Sequence, residues 1–232
     1  MERWRLTTIL AIAFPALLAV SLIGCSDKPE TRRAEVNVEK PITAEQPAIK
    51  ASGPRIVAFG DSLTAGVAGK SYPEYLGEIL TERGYHYQVE NQGVSGDTTT
   101  DGLARIENVI AAKPALVILE FGGNDGLRGV PVESTRKNLE EMISRIQAAK
   151  IPLVLLGITL PPNYGPDYVK PFTAMFPQLA KKYNIPSLPF LLAHVYQDPK
   201  LMQPDGIHPN GDGNRIVAED VFQLIKKMLK PA

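Results

Sequence analysis

Cysteine is nearly missing from this chain: Cys25 is the only one in 232 residues. A single thiol cannot close an intramolecular disulfide, so a fold exported to an oxidising compartment would have to be held by its core. Excess charge of either sign is missing too. The 25 basic side chains equal the 25 acidic ones, and no basic run is longer than a pair. Nucleic-acid binding draws on clustered Lys and Arg that displace counterions from phosphates, so that class is set aside. A membrane-spanning run is the third absence. The apolar stretch from Ile9 to Val20 falls short of the roughly 20 residues a helix needs to cross a bilayer. What remains, 44% hydrophobic residues spread along the chain, suits one globular domain with appendages.

Arg3 and Arg5 stand before that stretch and give it the charged and short apolar regions of an export signal. Leu22-Ile23-Gly24-Cys25 follows and resembles the lipobox of bacterial lipoproteins, in which the Cys becomes the acylated first residue of the mature chain. An ordinary cleaved signal with an incidental Cys is the alternative. From Ser26 to Gly53 the chain is rich in Pro, Glu, Lys, Ala and Thr without apolar periodicity, which reads as a solvated tether. The expected division is a signal over residues 1–24, a lipidated Cys25 with its tether over 25–53, and a folded domain over 54–232. The expected setting is the periplasmic side of a membrane, the outer one, with a monomer anchored through Cys25.

Within the domain, short apolar runs alternate with helical patterns. Arg55 to Phe59, Tyr85 to Glu90, Ala115 to Phe121, Leu153 to Gly157 and Ile185 to Phe190 read as buried strands. Helices are predicted over Ser71 to Arg83, Thr98 to Ala112, Val132 to Ala149, Pro171 to Tyr183 and Gly213 to Leu229. Strict alternation implies a parallel sheet with helices on both faces. The expected fold is a three-layer α/β/α sandwich on a five-stranded parallel sheet, doubly wound in flavodoxin-like order. Ligands bind such sheets beyond the carboxyl ends of the strands, so the chemistry should lie in the loops there.

Those loops are rich in Gly, Ser, Asn and Asp. Gly60-Asp61-Ser62-Leu63-Thr64-Ala65-Gly66 puts a serine between glycines at a strand end, a good seat for a nucleophile, although a plain turn would look the same. The stretch lacks the Gly-x-Ser-x-Gly elbow of the alpha/beta hydrolases. In Asn91 to Thr99, Gly96 can bring a bare N–H close to a ligand, while Asp97 or Thr98 can cap the next helix. In Phe121-Gly122-Gly123-Asn124-Asp125-Gly126, glycines clear space around a carboxamide that can donate to an oxyanion or merely mimic a turn. Asp205-Gly206-Ile207-His208-Pro209-Asn210 sets a carboxylate three residues before an imidazole, where one turn can present both. Two other histidines, His86 and His194, read as structural. A rival grouping of Asp61, Asp125, Asp205 and His208 around a divalent metal, for phosphoester hydrolysis, would use the same carboxylates.

Taken in order, Gly-Asp-Ser-Leu at 60, the Ser-Gly-Asp glycine at 96, Gly-Gly-Asn-Asp at 122 and Asp-Gly-Ile-His-Pro at 205 resemble the SGNH/GDSL hydrolases. Gly122 to Gly129, Leu160 to Gly165, Leu188 to Phe190 and Met202 to Asn210 are similar to one branch, the bacterial acyl-CoA thioesterase, lysophospholipase and arylesterase group. The likeness covers the domain from Arg55 onward; the lipobox and tether depart from the simple cleavable signal of that group. It implies a serine esterase acting without metal or cofactor on aryl esters, short to medium acyl esters, and also lysophospholipids or acyl thioesters. Ser62 would be the nucleophile, His208 the base and Asp205 its orienting partner, with the N–H groups of Ser62 and Gly96 and the Asn124 amide as the oxyanion hole. Leu127 and Val130, in the loop from Gly126 to Pro131 directly after Asn124, and Tyr164 and Tyr168, in the loop from Pro161 to Pro171 after the fourth strand, are expected to line the acyl site, and Gly126 and Gly129 to let the first loop move. A carbohydrate acetyl esterase and a non-catalytic surface lipoprotein are the alternatives.

Overall fold

In the computed structural model, which describes residues 53–231, the strands β1 (Arg55–Gly60), β2 (Gln88–Gly93), β3 (Leu116–Glu120), β4 (Leu153–Leu156) and β5 (Ser187–Leu188) form one sheet. All neighbours are parallel and the order is β2-β1-β3-β4-β5, the doubly wound arrangement expected from the alternating pattern. Ile56, Val57, Ala58 and Phe59 in β1 and Val117, Ile118 and Leu119 in β3 are sealed from solvent, as a sheet covered on both faces requires.

The helices are α1 (Ser62–Ala65), α2 (Tyr72–Glu82), α3 (Thr99–Ala111), α4 (Gly123–Leu127), α5 (Val132–Ala148), α6 (Pro166–Tyr183) and α7 (Gly211–Ile225). Helix α3 packs on α5 and α5 on α6, while α2 packs on α7, so right-handed crossovers leave a helical layer on each face. Among the described residues no helix is long and apolar enough to cross a membrane. The signal, Cys25 and all but the last residue of the tether lie outside the described residues.

Three elements differ from the sequence reading. Strand β2 begins at Gln88, three residues later than expected, because Arg55 pairs with Gln88 and the Tyr-His-Tyr segment before it serves another layer. Tyr85 lies edge-on to Phe222 of α7, and the Tyr87 hydroxyl accepts the N–H of Lys230. Strand β5 shrinks to two residues. Helix α6 starts at Pro166 rather than Pro171 and carries Pro171 and Pro177 inside it. Each interior proline removes one backbone hydrogen bond. Burial of Phe172, Met175, Phe176 and Leu179 on one face of α6 offsets that loss. Two short helices were not anticipated, and both of them, α1 and α4, begin at strand ends that carry the polar motifs.

Candidate active site

The carboxyl end of β1 stops at Gly60, and Asp61 caps α1 by accepting the Leu63 N–H on Oδ1 at 3.0 Å. This sets Ser62 on the first turn of α1, half-buried, at the sheet edge. On the far side, Asp205 Oδ1 accepts the N–H groups of Ile207 at 2.9 Å and His208 at 3.0 Å, closing a tight turn through Gly206 at a φ of 68°. Left-handed backbone of that kind favours glycine. The remaining Asp205 oxygen lies 2.8 Å from His208 Nδ1, and His208 Nε2 lies 2.9 Å from Ser62 Oγ. Ser62, His208 and Asp205, separated by up to 146 residues in sequence, thus form one hydrogen-bonded chain.

The turn that carries His208 is pinned from both sides. Gln203 N–H donates to the His208 carbonyl at 2.8 Å, and Asn210 caps α7 by accepting the Gly213 N–H at 3.0 Å. Against the desolvation that would raise it, the His208 and Ile207 N–H groups and the His208 ring hold the Asp205 carboxyl below the usual carboxylate range. It is ionised and facing the ring.

Asn124 stands in the first turn of α4. Its amide donates to the Asp97 carbonyl at 2.9 Å and to Asp61 Oδ2 at 3.3 Å, which joins the loops after β1, β2 and β3. Gly96, at a φ of 88°, lies in the turn after β2, and its carbonyl accepts from Arg128 at 2.9 Å. Thr98 rather than Asp97 caps α3, sharing a reciprocal pair of bonds with Asp101, and Asp97 instead binds Arg105 at 2.8 Å.

Ser62, Asn124, Leu127 and His208 border a cavity of about 100 Å³ whose remaining wall is mostly apolar: Ile158, Leu160, Phe190, Leu192 and Ile207. Of the residues expected to hold an acyl chain, Leu127 is on this wall. Val130, Tyr164 and Tyr168 are not. The Tyr164 hydroxyl donates to the Leu127 carbonyl at 3.0 Å and the Tyr168 hydroxyl to the Val130 carbonyl at 2.6 Å, so both tyrosines strap the segment after α4 rather than face the cavity. Gly126 is buried in α4, where a side chain would run into Leu160, so it serves close packing and not loop movement. Sequence reasoning missed Ile158 and Leu160, which follow β4 in Gly157-Ile158-Thr159-Leu160 and carry no group that marks chemistry.

The rival metal grouping is not assembled. Asp125 is turned away to accept from the Thr99 N–H at 2.8 Å and from two threonine hydroxyls. Among the described residues no group of three or more His, Cys, Asp or Glu side chains is placed to hold a metal ion. His86 is exposed on the far layer, and His194 pairs with Asp220 at 2.8 Å on the surface.

Sufficiently like chains are known. Residues 58–216 match the GDSL-like lipase/acylhydrolase family. The chain is 40% identical over 179 residues to an arylesterase of Vibrio mimicus, covering 75% of this chain and 90% of that one. It is 38% identical over 185 residues to thioesterase 1/protease 1/lysophospholipase L1 of Escherichia coli strain K12, covering 78% and 86%. The crystal structure of TesA superposes with a TM-score of 0.71 at 37% identity, covering 75% of this chain and 99% of that one.

Proposed function

The chain belongs to the GDSL-like lipase/acylhydrolase family and is a carboxylic ester hydrolase, and from that premise we propose that Ser62 is its nucleophile, with His208 as general base and Asp205 as the orienting carboxylate. The observation that carries this is the continuous chain from Ser62 Oγ to His208 Nε2 at 2.9 Å and from His208 Nδ1 to Asp205 at 2.8 Å. His208 takes the hydroxyl proton as Ser62 attacks the ester carbonyl, then returns it to the leaving alcohol. Water repeats the sequence on the acyl-enzyme and releases the acid.

The developing oxyanion would be met by the N–H groups of Ser62 and Gly96 and by the Asn124 amide. The N–H that Asn124 donates to Asp61 at 3.3 Å is the longer of its two bonds and the one an oxyanion could share. The apolar wall from Leu127 to Ile207 favours a short to medium acyl or an aryl group, which agrees with the activities named for the two relatives. Tyr164 and Tyr168 act on that wall through the backbone they hold. Export, and a lipid anchor on Cys25 that sets the enzyme at a periplasmic membrane face, complete the proposal; their support is the sequence of the first 25 residues.

A fluorophosphonate should label Ser62 covalently, as peptide mass spectrometry reads directly, and Ser62→Ala should remove both the label and hydrolysis of a nitrophenyl ester. Labelling of another serine, or turnover by the Ala variant above a trace, would take the nucleophile role from Ser62.

A further inference from the structure

Beneath Ser62 lie two carboxyl groups that acyl transfer does not use. Asp61 is 1% exposed, and Glu120, the last residue of β3, is 0% exposed. Glu120 Oε2 accepts the Asp61 N–H at 3.3 Å and the Thr64 hydroxyl at 2.8 Å, with the Tyr72 hydroxyl 3.4 Å beyond Thr64. Glu120 Oε1 has no partner. Space for this carboxyl is kept by Gly60, where a Cβ would come within 2.6 Å of Oε2.

Two adjacent carboxylates so deeply buried cannot both be ionised, because each is denied water and each repels the other. Among the described residues no Lys or Arg pairs with either of them, and the Arg105 guanidinium is paired with Asp97. The titratable and charged groups that face the pair are Tyr72 from α2, His208 from the loop before α7, and Arg105 from α3, whose guanidinium ends on the Gly60 carbonyl at 3.0 Å. Burial pushes both carboxyls above the usual range, Asp61 to about 6 and Glu120 well up, with the neighbouring Asp61 adding to the rise. The hydrogen bonds then decide where the one remaining charge sits. Each Asp61 side-chain oxygen has its own donor, Leu63 N–H or the Asn124 amide, whereas Oε1 of Glu120 has none. Asp61 is the better seat for the charge.

We propose that Glu120 works as an uncharged carboxylic acid and is a positioning residue for Ser62, fastening the Gly60 to Thr64 turn from below while leaving Asp61 as the one negative charge under the oxyanion site. It acts through the Asp61 N–H and the Thr64 hydroxyl and touches no substrate. A second charge here would oppose the oxyanion that forms above it. The proposal rests on Ser62 as nucleophile, but its variants leave Ser62 in place, so fluorophosphonate labelling checks that reading separately.

Glu120→Gln keeps an acceptor for both donors and cannot ionise, so it imitates the neutral acid. Its kcat at neutral pH should stay within about threefold of the parent, since no net hydrogen bond is lost. Glu120→Ala leaves both donors without their acceptor and lets the turn shift, and kcat should fall about 100-fold with KM little changed. Should that variant fail to fold, Thr64→Val removes one of the two donors at nearly constant shape and should lower kcat about tenfold. A neutral Glu120 has a further signature in stability. A carboxyl raised by folding stabilises fully below its unfolded pKa and loses that contribution as pH rises through the folded value. The thermal midpoint of Glu120→Gln should therefore gain on the parent between pH 4 and pH 8, by direct comparison of melts. Equal losses of kcat in the Gln and Ala variants, unchanged kcat in Thr64→Val, or a midpoint difference that does not move with pH would each overturn the proposal.

Discussion

Asn124 shows how much a single side chain is asked to do in this site. Its 2.9 Å bond to the Asp97 carbonyl fixes the amide plane, and the second N–H, 3.3 Å from Asp61, is the one that an oxyanion would share in the proposed mechanism. On that reading, removing the amide loses one oxyanion donor and leaves Asp61 with one fewer partner. Asn124→Ala should lower kcat on nitrophenyl esters about 100-fold to 1000-fold while changing KM little, because the lost bond belongs to the transition state. A rise in KM with kcat unchanged would move Asn124 to ground-state binding. At this scale the polar residues of the site were legible in the sequence: Ser62, Asn124, Asp205 and His208 stand near glycines in short polar segments outside the apolar strands. Glu120 was not legible. It ends Leu-Val-Ile-Leu-Glu, and only the fold shows that its partners, Asp61 and Thr64, lie 59 and 56 residues away. Tyr164 and Tyr168 misled for the opposite reason, since an aromatic ring near a site looks like a binding wall until its hydroxyl is seen bonded to a backbone carbonyl.

Among the elements, α3 does the most to bring the strand ends together. Its cap begins right after the Gly96 turn, and two turns later Arg105 donates to Asp97 at 2.8 Å, the Gln92 carbonyl at 2.9 Å and the Gly60 carbonyl at 3.0 Å. The guanidinium also lies over the rings of Phe59 and Phe121, 4.4 and 5.5 Å from their centres. One planar cation thus ties the ends of β1 and β2 to the loop that carries Gly96. The three N–H donors of a lysine radiate from one nitrogen, so it cannot span three acceptors set around a flat guanidinium or lay such a plane on a ring. Arg105→Lys should lower both kcat and the rate of fluorophosphonate labelling of Ser62 by about tenfold, one lost charge-assisted bond of roughly 1.5 kcal/mol. Equal labelling rates in the two proteins would show that the clamp is purely structural. The alternation of strands and helices was readable because both periods are long and regular here. Boundaries were not, where a side chain answers to a neighbour in space: Tyr85 stacks on α7 instead of extending β2, and α6 carries two prolines because its buried face outweighs them.

For the whole molecule, the doubly wound order followed from the rule that parallel crossovers are right-handed, and the strand-end rule then brought four distant loops to one edge. Neither rule could place the buried charges, and those set how stability depends on pH. Hydrogen bonds from Ser71 hold Glu74 below the usual range, the Thr98 hydroxyl and N–H do the same for Asp101, and Arg83 lowers Glu219 against desolvation. With Asp205, these depressed groups stabilise the fold above their unfolded pKa, and that contribution is lost as pH falls through the folded values. Asp61 and Glu120 have the opposite sign: their contribution is complete below an unfolded pKa of about 4 and is lost as pH rises through about 6 and beyond. The depressed groups are mostly at the surface, where solvent screens them, and the raised pair is buried, so the pair should dominate from mildly acid to alkaline pH. Hydrolysis pulls the other way, since an imidazole that is to take the serine proton must itself be unprotonated. The thermal midpoint should therefore be higher at pH 5 than at pH 8 while kcat/KM is higher at pH 8. Melts and ester hydrolysis measured across one buffer series decide it. If both curves peak together near neutral pH, the buried pair does not govern stability, and the carboxyls beneath Ser62 are ionised or shielded in a way that these contacts do not provide.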